Sequence, residues 1–140
     1  RILIIYSRKN INHNKKLLNI TYNKLIENHH VKKENIWQYA VSSDYELPYT
    51  AYHLINYAKS EKKPFHAVIC IGTIIKNDIT SNDQQNCIFD SISNGIMKVK
   101  IETDTPVIHG ILFDNESNIK SKNNYAFGAP EINWAETAIE

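Results

Sequence analysis

The sequence predicts an α/β domain in three layers, a four-stranded parallel sheet with helices on both faces. Two observations carry this. Four short apolar runs alternate with stretches whose apolar residues recur at helical spacing, giving the order β-α-β-α-β-α-β-α-α. The third run, AVICI at 67–71, is apolar throughout, as expected of a strand buried on both faces.

In chain order, RILIIY (1–6) reads as the first strand and SRKN (7–10) as the polar turn after it. Leu17, Leu18, Tyr22, Leu25 and Ile26 then recur at helical spacing, predicting a helix over about 12–29. A loop, HHVKKEN, leads to a second strand, IWQYAV at 36–41. After the turn Ser42-Ser43-Asp44, Pro48 suits the first turn of a helix whose apolar face is Ala51, Leu54, Ile55 and Ala58. The third strand starts at Ala67. Gly72 is expected to break it, with Thr73, Ile74 and Ile75 leading to the polar turn Lys76-Asn77-Asp78. Ile88, Ile92, Ile96, Met97 and Val99 predict a helix to about Lys100, and PVIHGIL (106–112) a fourth strand. Asp114 is placed to cap a helix that carries Ile119 and ends near Asn124. Gly128-Ala129-Pro130 is a break before a final helix at 131–140.

A chain of 140 residues suits one domain, 1–140, and can bury a full core. Lys plus Arg is 16 and Asp plus Glu is 15, so charge gives no basis for a nucleic-acid or membrane-surface partner. No segment reaches the ~18–20 unbroken apolar residues of a membrane helix. Cys70 and Cys87 read as reduced, buried thiols, with a disulfide or metal site as the lesser reading. The chain opens inside a strand pattern and stops inside a helix pattern, so residues are expected to be missing at both ends. The compartment is therefore not legible, cytoplasmic by default with an organelle left open.

Neither a dinucleotide fingerprint, a phosphate loop nor a nucleophile elbow is present, and the histidines show no metal-ligand spacing. Three loops attract attention because each follows a strand, and in an open parallel sheet such loops meet at one edge, where ligands bind. They are 7–10, SSDYELP at 42–48, and 76–84. The amino ends of helices at that edge favour anions, which points to a phosphate-bearing substrate. Glu46 beside Tyr45 offers a polyol acceptor next to a ring, or else a cap and a core tyrosine. Lys76 offers a phosphate partner, or else a solvated lysine.

The loops resemble those of the lumazine synthase family. SRKN is similar to the family's G-R-F-N, VSSDYELP to V-P-G-A-F-E-L-P and IGTIIKND to L-G-x-V-I-R-G-E; PVIHGILFDN resembles P-V-I-F-G-V-L-T-x-x, and INWAETAIE the closing helix. The resemblance covers residues 2–140 in one order of elements. It implies a flavodoxin-like fold and the condensation of 5-amino-6-(D-ribitylamino)uracil with 3,4-dihydroxy-2-butanone 4-phosphate, with no metal or cofactor. By the same resemblance Asn10 lies at the pyrimidine pocket, and Ser43 and Asp44 offer backbone groups to the substrate's chain. Tyr45 packs in the pocket and Glu46 binds the ribityl chain. Ile74, Ile75 and Lys76 line the substrate side, while Asn77, Asp78, Ile79 and Lys122 hold phosphate. His109 closes the pocket of a neighbouring subunit in a homopentamer, with a larger shell open.

The chain also departs from the family pattern. The family's acid-base His lies in G-E-T-x-H. That position is Ser81 when read forward from Gly72 and Gln84 when read back from Gly95. No His occurs from Ala67 to Ile108, and neither Ser nor Gln shuttles protons near neutral pH as imidazole does. Lys9 replaces the aromatic residue of the first loop, and Lys122 in place of Arg gives up bidentate phosphate contact. Three readings follow: a divergent synthase, a weakened homologue kept as a binding or assembly scaffold, and a flavodoxin-like module with an unrelated partner.

Overall fold

The structure, a computed structural model, describes residues 1–76, 82–115 and 134–139, without the side chains of Lys76, Asn82, Asp83 and Asn115. Its elements are β1 (Ile2–Ser7), α1 (Ile11–Glu27), a 3-10 turn (Lys33–Asn35), β2 (Ile36–Val41), α2 (Glu46–Ser60), β3 (Ala67–Lys76), α3 (Asn82–Thr103), β4 (Val107–Asn115) and α4 (Trp134–Ile139). The strands form one sheet in the order β2-β1-β3-β4, parallel at every pairing. This is the expected α/β architecture.

Side-chain alternation divides the core between the two faces of the sheet. Ile2 and Ile4 of β1 and Ala67, Ile69 and Ile71 of β3 pack on Leu17, Leu18 and Leu25 of α1 and on Trp134 and Ala135 of α4. Leu3, Ile5, Val68 and Cys70 face the other way, against Leu47, Ala51 and Ile55 of α2 and Ile92, Ile96 and Val99 of α3. The two central strands are therefore buried on both sides, as their unbroken apolar runs require. β2, at an edge, leaves Trp37 and Tyr39 partly exposed.

Several expectations shift. Gly72 does not break β3. It pairs with Ile111 of β4, and the strand continues to Lys76 because β4 runs beside it to Asn115. β4 thus outlasts its apolar run, and Asp114 lies inside the strand rather than at a helix start. The helix expected after Asp114 and the Gly128–Pro130 break lie outside the described residues. α1 ends two residues early, at Glu27, and α2 starts at Glu46, so Pro48 sits in its first turn. α3 extends to Thr103. Cys70 is buried and Cys87 exposed, both free, which corrects the expectation of two buried thiols. Burial pushes the Cys70 thiol up to about 12, so it is inert near neutral pH.

At Gly110 the Trp134 ring of α4 packs against the backbone of β4. A Cβ there would lie 2.6 Å from the Cys70 carbonyl oxygen and 3.0 Å from Cδ2 of Trp134. Neither obstacle can swing aside. Gly110→Ala is expected to destabilise the fold by roughly 1–3 kcal/mol, read as a lower denaturant midpoint at unchanged slope.

Candidate active site

The carboxyl end of the sheet opens into a cleft of about 300 Å³. The turn after β1 supplies Lys9 and Asn10, the turn before α2 supplies Ser43, Asp44 and Tyr45, and the end of β3 supplies Thr73, Ile74 and Ile75. Gln85 and Ile88 of α3 close it. Two loops far apart in sequence therefore meet the end of β3 and the start of α3 at one rim.

A buried amide sets their positions. Asn14 of α1 is fully buried. Its Nδ2 donates to the carbonyls of Ser7 (2.8 Å) and Lys9 (2.9 Å), and its Oδ1 accepts from the Thr73 hydroxyl at 2.6 Å. The next link is Asn10, which precedes α1 in the left-handed region (φ 57°), a conformation Asn tolerates better than most residues. Its Nδ2 donates to the Thr73 carbonyl at 2.9 Å. The paired register of β1 with β3 stops at Ile71, so the β3 edge beyond it is free to take that side chain.

Asp44 sits deepest. It is 6% exposed, and its Oδ1 has no hydrogen-bond partner among the described residues. A Cβ on Gly72 would fall 2.5 Å from that oxygen, so the carboxyl occupies space that only a glycine leaves. Burial pushes the Asp44 carboxyl up to about 6, against the opposing pull of Ser7, the Lys9 ammonium and the Thr73 backbone. Gln85, also 6% exposed, donates from Nε2 to the Ile75 carbonyl at 3.0 Å. Its Oε1 is buried without a partner among the described residues. The cleft thus holds two unsatisfied acceptors, which favour a ligand rich in N–H or O–H donors.

Asn10, Ser43, Asp44, Tyr45, Ile74 and Ile75 of the expected site residues come together here. Glu46 adjoins the cleft as the exposed first residue of α2, and Tyr45 is 56% exposed at the mouth. Lys76 ends β3 at the rim. Gln84 lies exposed on α3, and its neighbour Gln85 takes the place in the wall. Ser81, Asn77, Asp78, Ile79 and Lys122 lie outside the described residues. His109 does not reach this cleft. It stands on β4, with Nε2 2.8 Å from the Ser93 hydroxyl and its ring edge-on to Phe89. It lines a separate groove with Met97 and Trp134, and burial lowers its pKa. Sequence reading missed Gln85, Thr73 and Asn14. Spacing carries no signal for Gln85, but polar residues facing the core side of α1 and β3 are a visible cue for Asn14 and Thr73.

Among the described residues no group of His, Cys, Asp and Glu is arranged to hold a metal ion. An all-parallel sheet between helices, with a cleft at its carboxyl edge, is an open-sheet α/β protein. The whole chain, residues 1–140, matches the profile of 6,7-dimethyl-8-ribityllumazine synthase, and it belongs to that family. Three relatives are known as 6,7-dimethyl-8-ribityllumazine synthases. The one from Schizosaccharomyces pombe is 33% identical over 112 residues, which are 80% of this chain and 65% of that protein. The one from Deinococcus radiodurans is 32% identical over 84 residues, 60% of this chain and 49% of that protein. The one from Arabidopsis thaliana, described as chloroplastic, is 34% identical over 82 residues, 59% of this chain and 33% of that protein. The chain thus spans from about a third to just under two thirds of these relatives' lengths.

Two outcomes test the site's physics. Asn14→Ala leaves buried carbonyls at Ser7 and Lys9 without a donor; it is expected to cost roughly 2–4 kcal/mol and to speed amide exchange in the loop after β1. Asp44 binds its proton more tightly in the folded protein than in the unfolded chain. Its contribution is therefore fully present below about pH 4 and fades as pH rises through about 6. Relative to Asp44→Asn, the unmodified protein should lose thermal stability across that window. A gap between the two that does not change with pH would refute the raised pKa.

Proposed function

We propose that this chain is a 6,7-dimethyl-8-ribityllumazine synthase, condensing 5-amino-6-(D-ribitylamino)uracil with 3,4-dihydroxy-2-butanone 4-phosphate in riboflavin biosynthesis. The observation that carries the proposal is the family match over residues 1–140, joined to a cleft lined by two of the loops that the sequence pattern singles out, 7–10 and 42–48, and by the end of β3. The aminouracil offers several N–H donors, which suit the free acceptors of Asp44 and Gln85. In this reading Asn10 meets the pyrimidine, Tyr45 packs on it and Glu46 binds the ribityl hydroxyls, with Ser43, Ile74 and Ile75 shaping the walls. Lys76, Asn77, Asp78, Ile79 and Lys122 take the phosphate. His109, turned away from its own cleft, closes that of a neighbour in a homopentamer, which can build into a larger shell.

Holding two reactants in contact supplies a large part of the barrier in a condensation. A synthase that lacks the imidazole can therefore still turn over. A second reading, a scaffold that binds or assembles without turnover, is favoured by the absence of His from 67 to 108 and by Ser81 and Gln84 at the alternative positions.

Calorimetric titration with the ribitylaminouracil and with inorganic phosphate, followed by mixing of both substrates, separates these readings. The synthase reading expects binding of both and growth of lumazine absorbance. Binding without product supports the scaffold, and failure to bind either ligand defeats the synthase. Light scattering should give a pentamer or a multiple of it; a monomer alone would refute pockets shared between subunits.

A further inference from the structure

We propose that Asp44 is the proton-transferring catalytic residue of this cleft, taking the place of the absent histidine; the inference rests on the synthase reading above. Its grounds are positional. Asp44 is the acid in the wall of the cleft, it is nine-tenths buried, and its Oδ1 meets no donor among the described residues. The oxygen lies against Gly72 of β3, where a backbone without a side chain lets it approach. Gln85 lines the same cleft and carries a second buried acceptor without a partner among the described residues. The resemblance gave Asp44 only a backbone role, and at the matching position the family pattern carries a small residue without a proton to exchange.

The groups facing Asp44 come from every element around it. Ser7 ends β1, Lys9 and Asn10 lead into α1, Thr73 lies on β3 and Gln85 on α3, while Tyr45 and Glu46 follow on α2. Lys9 is the cation acting on the carboxyl. Because burial outweighs it, the group holds its proton to about pH 6 and exists in both forms near neutrality, as acid-base catalysis requires.

The step balances within the two substrates of that reading. The uracil's 5-amino group adds to the ketone carbon, giving a carbinolamine. Asp44 gives its proton to the carbinolamine hydroxyl, which leaves as water as the C–O bond breaks and C=N forms. The resulting carboxylate takes the proton from the adjoining carbon. That C–H pair becomes a C=C bond and the neighbouring C–O bond to phosphate breaks, phosphate leaving with its electron pair. Asp44 ends protonated, as it began. Water is also lost on ring closure, with no oxidant or reductant required.

The test compares the full chain with Asp44→Asn, following lumazine formation from about pH 5 to about pH 8 and titrating the ribitylaminouracil onto both. The expected result is a ~10²–10⁴-fold lower kcat and loss of the inflection near pH 6, with the uracil still bound in the titration. A variant that keeps kcat within about threefold, or keeps the inflection, overturns the proposal while leaving the synthase reading intact. An unmodified protein that binds neither substrate overturns both. Should Asp44→Asn fail to fold, Asp44→Ser carries the same test. Formate should then restore part of its rate, and no restoration by formate at any pH counts against proton transfer at this position.

Discussion

The buried side chain of Asn14 is the constraint from which the rest of the cleft follows. Strands of a parallel sheet end in backbone that has lost its ladder partners, and buried peptide groups need replacements. One amide supplies them here. It binds two carbonyls of the loop after β1 and accepts from Thr73 on β3, so that loop and sheet hold one spacing. Asn10 adds a second tie to the same strand from a left-handed backbone that few residues adopt without strain. A helix whose inner face were wholly apolar would leave the rim of the cleft without a fixed height.

Much of the fold was legible because its signals are local. The strand at Ile36–Val41 is where the apolar run puts it, and the buried ranks of α1, α2 and α3 follow the 3.6-residue period. What went astray depends on contacts across the chain. Gly72 looks like punctuation, yet the partner strand carries it onward, and its missing side chain serves a residue in another loop. Asp44 reads as an ordinary turn former, because its burial arises only when that turn lies against β3. Gln84 and Gln85 are equal in composition, and only the phase of α3 turns one outward and the other into the wall. Cys87 is exposed for the same reason.

The site gathers two of the four buried side-chain atoms that have no hydrogen-bond partner among the described residues, the others being Arg1 Nε and Thr21 Oγ1. A carboxyl kept from water and an amide oxygen left without a donor each cost stability, and such costs persist at positions that bind or react. A donor-bearing ligand removes both penalties at once, so its affinity draws on strain already present in the empty protein. Lys9 moderates the cost without cancelling it, since desolvation still prevails at the carboxyl.

The contact between Asp44 and Gly72 also ties together two positions far apart in the chain. A Cβ at the second would fall 2.5 Å from the acid's oxygen, so the carboxyl keeps its present place only beside a bare backbone. Any larger residue there would turn the carboxyl aside, and the setting of the acid is in this way written into a strand to which it does not belong.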